Sequence, residues 1–405
     1  MMKYDLAVVG GCSAGIAAAI NAKRIYPGLR IAIIEKLPRI GKKLLATGNG
    51  KCNITNLYAS DHDYVNKGFA SFAMSSYPPE KVIDFFSSMG LLTYQDSCGR
   101  VYPMSNMAAS VVDALRFELE RLGVDVICDT PVTDIKKSGN GFSVNGNIFC
   151  SKIIIAAGGK SAAPQGSDGS GFELAKKLGH KVTETVPALV PLNSKPEITK
   201  PLKGTRVRNV ALTLKGDKTI AKTEGEILFT DYGLSGIAAM ELAASAQKYI
   251  NSVKRNPFTI VDFLPEMTYD ELLAYLQTLC KIKSFCKVDN LLTGILPKTV
   301  GIAICKVCNL YSSDKNISEL SEKDLRNIAE KTKKFPLEIT GTRGFINAQV
   351  TSGGIKVDEI NEKTMESRIC RNLYFAGEII DVDGGCGGFN LQWAWASGML
   401  AGELK

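Results

Sequence analysis

Two short stretches of the 405-residue chain carry residue types and spacings suited to holding a phosphorylated ligand. The first is Gly10-Gly11-Cys12-Ser13-Ala14-Gly15, set between an apolar run and a helix-forming run. A dinucleotide-binding turn places glycine at its first, third and sixth positions. Gly10 and Gly15 fit, and Cys12 takes the third place. Gly10 permits the sharp turn, and Gly15 lets a helix pack closely on a strand. A helix N-terminus near Ser13 would offer N–H groups and a positive dipole end to a pyrophosphate. Glu35 ends the next apolar run, twenty residues beyond Gly15. A carboxylate there accepts from ribose hydroxyls and repels a ribose phosphate, so the pattern reads as FAD or NAD rather than NADP.

The second stretch lies near the C-terminus: Gly377-Glu378, Asp381, Asp383-Gly384-Gly385, then Gly387-Gly388-Phe389-Asn390-Leu391-Gln392. An acidic residue just after a strand can bind ribityl hydroxyls. A glycine-lined helix start can aim N–H groups at the flavin N1/C2 carbonyl, where negative charge gathers on reduction. An NAD domain needs no such second loop, so the pair of stretches selects FAD.

The elements that must position these residues are legible. "DLAVVGG", "AGIAAAINAKRI" and "LRIAIIEK" form strand, helix and strand of a βαβ unit. "PPEKVIDFFSSMG" and "SVVDALRFELERLGV" have helical periodicity, each ending at glycine, and Ile153-Ile154-Ile155-Ala156-Ala157 ends a set of short strands. The style changes near Pro187, where alternating strands with hairpin turns precede charged helical segments. The glycine-rich apolar style returns with "NLYFAGEI". The expected architecture is α/β, with a discontinuous nucleotide domain over 1–190 and 345–405. An inserted substrate or cap region spans 191–344, β-rich over 191–264 and helical over 265–335. Gly166-Ser167-Asp168-Gly169-Ser170-Gly171 has the wrong glycine spacing for a second dinucleotide turn and reads as a loop with an N-cap.

The net charge is +8, from 49 Lys and Arg against 41 Asp and Glu, with the basic residues scattered rather than in runs. That pattern reads as a solvated surface with mild attraction for anionic cofactors, and no nucleic-acid or membrane partner is expected. Eleven cysteines at irregular spacing within apolar segments point to free thiols and a reducing, cytoplasmic setting. The one Cys-x-x-Cys, Cys305 to Cys308, has no second pair, and His62 and His180 are the only histidines. No metal site is expected.

The stretch from Gly41 to Asn56, "GKKLLATGNGKCNITN", resembles the signature of the BaiN-like flavoproteins. So do "CGRVYPMSNMAASVVDAL", "IIAAGGKSAAPQGSDGSGF", "ILFTDYGLSG", "TSGGI" and "FAGEIIDVDGGCGGFNLQWAWASG". The resemblance spans essentially the whole chain. It implies an FAD-dependent oxidoreductase, with a Rossmann-like FAD-binding domain of the glutathione-reductase type and non-covalent FAD. By that resemblance Glu35 and Lys36 lie at the adenosine, and Lys43, Thr47, Gly48, Asn49 and Asn53 pass along pyrophosphate and flavin. Val132, Ala157 and Gly158 complete the adenosine side. Gly377 and Glu378 meet ribityl and phosphate, and Gly388, Asn390 and Leu391 meet the flavin pyrimidine. Cys12, and Asn49 where glycine is commoner, depart from the family pattern.

The same resemblance implies reduction of a conjugated carbon–carbon double bond in an oxo-bile-acid-like substrate, with NAD(P)H as a transient reductant. An oxygen-dependent amine or aminoketone oxidase, and a flavin-bound sensor or RNA-associated factor without turnover, stand as alternatives. No histidine lies in a flavin motif, so a proton donor would be Tyr, Lys, Cys or water. Tyr102, Tyr232, Arg343 and Cys52 are the candidates. The substrate, the oligomeric state and the role of the cysteines have no signature in the sequence.

Overall fold

The computed structural model describes residues 2–311 and 315–405. The chain forms two compact units, one of residues 1–186 with 349–405 and one of residues 187–348.

The first unit is built on a seven-stranded sheet. Strand Met2–Val9 is flanked by Ile31–Ile34 and Ile148–Ile155, and both pairs are parallel. Asp125–Ile127 extends the sheet beyond Ile31–Ile34, and Leu373–Phe375 pairs in parallel with Ile148–Ile155. An antiparallel hairpin, Ile135–Ser138 with Gly141–Val144, completes it. The central strands are continuous Ile, Val and Ala runs because helices cover them, as parallel strands require. Helices Ser13–Ile25 and Phe389–Ala401 pack together through small residues: a Cβ on Gly398 would lie 2.4 Å from the Ala14 carbonyl oxygen. The two ends of the chain thus share one core. Trp395 anchors the second helix, donating from Nε1 to the Ile54 carbonyl at 2.9 Å and meeting Phe86 edge-to-face at 5.1 Å. A small three-stranded sheet, Thr55–Asn56 with Arg100–Pro103 and Thr93–Gln95, stands beside it.

The second unit is a closed six-stranded barrel with helices between its strands in the chain. Its strand order is Leu192–Ser194, Gly233–Ser235, Thr219–Phe229, Arg206–Lys215, Phe258–Asp262 and Phe335–Thr342. The β-rich and helical character expected for this region is present, but the barrel's last strand follows the helices. "FPLEITGT" alternates buried and less buried positions and returns to pair with Phe258–Asp262 and Leu192–Ser194. Closure removes the exposed edges of an open sheet. Helix Tyr269–Ile282 is one of the helices lying between the strands in sequence. No helix among the described residues is long and apolar enough to cross a membrane.

All eleven cysteines are free, five of them buried and one, Cys98, exposed. Burial is therefore less uniform than the apolar contexts suggest. Cys305 and Cys308 belong to the buried group, and desolvation pushes their thiols up to about 12 and about 11. Both are protonated at neutral pH.

Candidate functional site

The Gly10–Gly15 turn lies at the carboxyl end of the parallel strands, where open α/β sheets bind ligands. Gly10 has φ +107°, and a Cβ there would lie 2.5 Å from the Ala156 carbonyl oxygen. A Cβ on Gly15 would lie 2.0 Å from the Gly10 carbonyl oxygen. Both contacts are with backbone, so neither position can accept a larger residue without displacing the turn. Helix Ser13–Ile25 starts after Cys12, whose side chain makes no capping bond, so Ser13, Ala14 and Gly15 open the helix without one. Burial pushes the Cys12 thiol up, against the pull of the Ser13 amide and Lys43. The thiol in the glycine's place is uncharged.

Glu35 folds back onto this turn. Its Oε2 accepts from the Gly11 amide at 2.7 Å, and Oε1 accepts from the Leu37 amide at 2.9 Å. Lys36 pairs with Asp168 at 2.8 Å. Burial works against the Asp168 carboxylate, but bonds from Lys36 and Ser170 hold it at about 2. Asp168 also accepts from the Ser170 amide two residues on; Gly166–Gly171 is a loop leading into helix Ser170–Lys177, whose N-cap is Gly169 and has no side-chain capping bond. Ala157 and Gly158 follow strand Ile148–Ile155 beside Gly10, and Val132 packs against the same core.

The next group surrounds Lys43. Its Nζ meets Glu378 Oε2 at 2.7 Å, and Glu378 Oε1 accepts from the Thr351 amide at 2.8 Å. Thr351 Oγ1 in turn accepts from the Lys160 and Ser161 amides at 2.7 and 3.0 Å. Lys43 and Glu378, 335 residues apart, are one ion pair fixed by Thr351. A Cβ on Gly377 would touch the Ala14 Cβ at 2.8 Å, which sets this pair against the first helix.

The Thr47–Asn53 loop is tightly wound. Gly48, Asn49 and Cys52 have φ +56°, +55° and +58°, and the Cys52 amide donates to the Thr47 carbonyl at 3.0 Å. Burial pushes the Cys52 thiol up to about 12, so it too is a neutral group. Gly388, at φ +106°, starts helix Phe389–Ala401, and a Cβ there would meet the Thr55 carbonyl at 2.6 Å and Asn53 Oδ1 at 2.9 Å. Asn390 uses its carboxamide on its own loop, accepting from the Gly384 amide at 2.9 Å and donating to the Gly384 carbonyl at 2.8 Å. Its side chain shapes the glycine loop, and Leu391 packs partly buried behind it.

Among the described residues, two of the buried oxygens without a hydrogen-bond partner belong to this site; Asn193, Ser194 and Thr259 supply others in the second unit. Asn53 Oδ1 faces Gly388, and Ser167 Oγ lies 2.9 Å from where a Gly158 Cβ would be. An unsatisfied buried polar atom costs about 1–3 kcal/mol. These two sit at the flavin and adenosine ends of the site as the sequence reading lays it out. Together with the bare helix starts and the Lys43 cation they fit a dinucleotide.

Of the catalytic candidates, Tyr102 and Cys52 belong to this unit. A Cβ on Gly48 would lie 3.5 Å from Tyr102 Cε1, so the ring rests on the Thr47–Asn53 loop. Tyr232 and Arg343 belong to the second unit, where the guanidinium lies 4.6 Å from the Tyr232 ring centre. Sequence reasoning gave no place to Thr351, Ser167 or Asp168 in the site. Asp168-Gly169-Ser170 carried a capping signal, whereas Thr351 and Ser167 matter only through contacts distant in sequence.

The chain matches the HI0933-like protein Rossmann domain over residues 4–404. It is 37% identical over 405 residues to 3-dehydro-bile acid delta(4,6)-reductase of Clostridium scindens, covering 98% of both chains. It is 29% identical to ribosomal RNA dihydrouridine synthase of Escherichia coli, over 98% of this chain and 96% of that one. The solved structure of 3-ketosteroid delta1-dehydrogenase from Sterolibacterium denitrificans, in complex with 1,4-androstadiene-3,17-dione, superposes with a TM-score of 0.51 at 14% identity. That match covers 100% of this chain and 99% of the other, and it shows a shared fold.

Proposed function

The chain belongs to the HI0933-like Rossmann family and is an FAD-dependent oxidoreductase, and from that premise we propose that it reduces a carbon–carbon double bond conjugated to a carbonyl group, with NAD(P)H as reductant and a small, hydrophobic, oxo-bile-acid-like substrate. The observation that carries this reading is the full-length identity to a reductase of such a bond. When bound, FAD supplies the hydride that such a reduction needs.

The residues of the first unit divide the work. The amides of Ser13, Ala14 and Gly15 and the Lys43 ammonium would hold the pyrophosphate, with Glu378 and Thr351 fixing the lysine. Glu35, already accepting from two amides, retains lone pairs for ribose hydroxyls, and Lys36, Val132, Ala157 and Gly158 would line the adenosine. Gly48, Asn49, Asn53 and Gly388 would meet the isoalloxazine, where a bare helix start favours the negative charge of the reduced ring. The sequence offers no second dinucleotide turn, and on this proposal the nicotinamide would dock transiently.

The test is anaerobic. Purified, yellow protein mixed with NADH or NADPH should bleach, and a conjugated oxo-steroid should restore the colour. Flavin that stays oxidised with both nucleotides removes NAD(P)H as the reductant. Oxygen uptake with an amine, and no reoxidation by any enone, would put the amine oxidase in its place.

A second reading rests on the Escherichia coli relative. The uracil 5,6 bond is also conjugated to a carbonyl, so the same hydride chemistry would serve an RNA substrate. Residues 187–348 hold 23 Lys and Arg against 17 Asp and Glu, and the rest of the chain 26 against 24, so most of the positive surplus is in the second unit. Retention of ribosomal RNA that falls steeply with added salt, with dihydrouridine formed on turnover, would establish this reading over the first.

A further inference from the structure

We infer that Tyr102 is the proton donor for this reduction and that Arg100 positions it; the inference rests on the reductase reading above. Tyr102 lies on Arg100–Pro103, the middle strand of the three-stranded sheet, opposite Tyr94. Alternation along the strand puts Arg100 and Tyr102 on one face, while Val101 between them is buried. The Tyr102 ring stacks on Tyr94 with centroids 5.8 Å apart and planes 29° apart. Its edge lies beside the Gly48 turn of the loop that ends in Asn53, Cε1 being 3.5 Å from where a Cβ on Gly48 would be. The phenol is therefore held on two sides, half-buried, beside the segment that meets the flavin in the reading above.

Lys43, Cys52 and the two histidines of the same unit are placed less well for this. Lys43 is held by Glu378, and Cys52 is buried with its amide tied to Thr47. His180 is buried against Glu359 and Ser367, and the His62 side chain is 75% exposed beside Asp61. Tyr102, Asp96 and Cys98 are the titratable groups acting on Arg100, and Tyr94 stacks on the Tyr102 ring. Burial opposes the Arg100 guanidinium, yet neighbouring Tyr102 and Asp96, the latter 3.7 Å from Nε, hold it above its ordinary value. A cation so placed stabilises the phenolate left when the proton departs.

The step balances. Hydride, with its electron pair, forms a C–H bond at the alkene carbon remote from the carbonyl, and reduced FAD is thereby oxidised. The π pair moves to the carbonyl oxygen. As the carbonyl reforms, the neighbouring carbon takes the proton and the Tyr102 O–H bond breaks. Solvent returns a proton to the phenolate.

Stopped-flow measurement on the FAD-loaded protein separates the two half-reactions. Tyr102→Phe should be reduced by NAD(P)H at the wild-type rate but reoxidised by a conjugated enone about 10²–10⁴-fold more slowly. Its flavin spectrum, its FAD dissociation constant and the melting temperature of the apoprotein should match wild type. Arg100→Gln should slow reoxidation by about tenfold or more with KM unchanged, and Arg100→Lys should recover most of the rate, since either cation supports the phenolate. Reoxidation of Tyr102→Phe within about threefold of wild type overturns the assignment. So does loss of FAD or of melting temperature in that variant, which would make Tyr102 a structural part of the loop. A wild-type protein that no enone reoxidises removes the reductase reading itself, and the assignment with it.

Discussion

Two helices of the first unit and two of the second start in different ways, and the contrast between these pairs separates binding from stability. Ser13–Ile25 and Phe389–Ala401 begin after Cys12 and Gly388, and neither has a side-chain cap. In the second unit, Tyr269–Ile282 and Glu322–Lys333 begin with complete capping boxes. Thr268 Oγ1 accepts from the Glu271 amide at 3.2 Å, and Glu271 Oε2 accepts from the Thr268 amide at 2.8 Å. Ser321 and Asp324 repeat the arrangement at 3.2 and 2.9 Å. Every helix start leaves N–H groups without partners inside the helix. Tyr269–Ile282 and Glu322–Lys333 satisfy some of them with their own side chains, whereas Ala243–Val253 and Lys298–Val307 in the same unit do not. Ser13–Ile25 and Phe389–Ala401 keep side chains away from them, beside glycine turns that a Cβ would break, which is the arrangement an anionic ligand needs.

The contrast breaks most visibly at Gly15. In Gly15→Val the new side chain begins 2.0 Å from a backbone oxygen that cannot move alone. The expected result is protein that purifies almost without flavin and is destabilised by about 1–3 kcal/mol or more. The ratio of visible to ultraviolet absorbance and the thermal midpoint report both. A variant that keeps its full flavin would show that the turn does not hold the cofactor. Lys43→Met comes next. It leaves the Glu378 carboxylate without its ammonium partner beside the pyrophosphate position, so like charges face one another. FAD should bind about ten- to a hundredfold more weakly, which is about 1.4–2.7 kcal/mol, while the apoprotein melts near the wild-type temperature. Flavin-fluorescence titration decides this, and tighter binding would reverse the role given to the ion pair.

How much of this was legible in the sequence follows from the range of the interactions. The βαβ unit, the helix starting after Gly388 and the hairpin Arg206–Lys215 with Thr219–Phe229 rest on local patterns and stand in the structure where those patterns put them. The barrel's closure did not show, because strand Phe335–Thr342 pairs with partners far away in sequence. The same is true of the site. Glu35 was found through spacing, but its bond to Gly11, the Lys43–Glu378 pair and Thr351 as its support are contacts between distant segments. Asn390 shows the converse. The family pattern marks the position, yet its carboxamide is spent on the Gly384 and Gly385 backbone.

The capped helices give the smaller effects. Thr268→Ala removes a hydroxyl that accepts one amide and donates to Glu271, so about 1 kcal/mol of stability should be lost in urea unfolding. Flavin content should not change, and if it fell, binding and capping would not be separable between the units. The finest distinction is in pH. Bonds from the Thr268 amide and hydroxyl hold the Glu271 carboxyl below its ordinary value of 4.5. A carboxyl lowered by folding adds stability above its unfolded value, and that contribution is lost as pH falls through the folded one. Glu271→Gln keeps an acceptor oxygen but no charge, so its urea midpoint should lie below wild type at pH 7, and the gap should close as the medium is acidified below the ordinary carboxyl value of 4.5. A gap that persists in acid would mean that the box holds through shape alone. The difference between the two kinds of helix start would then be one of geometry and not of charge.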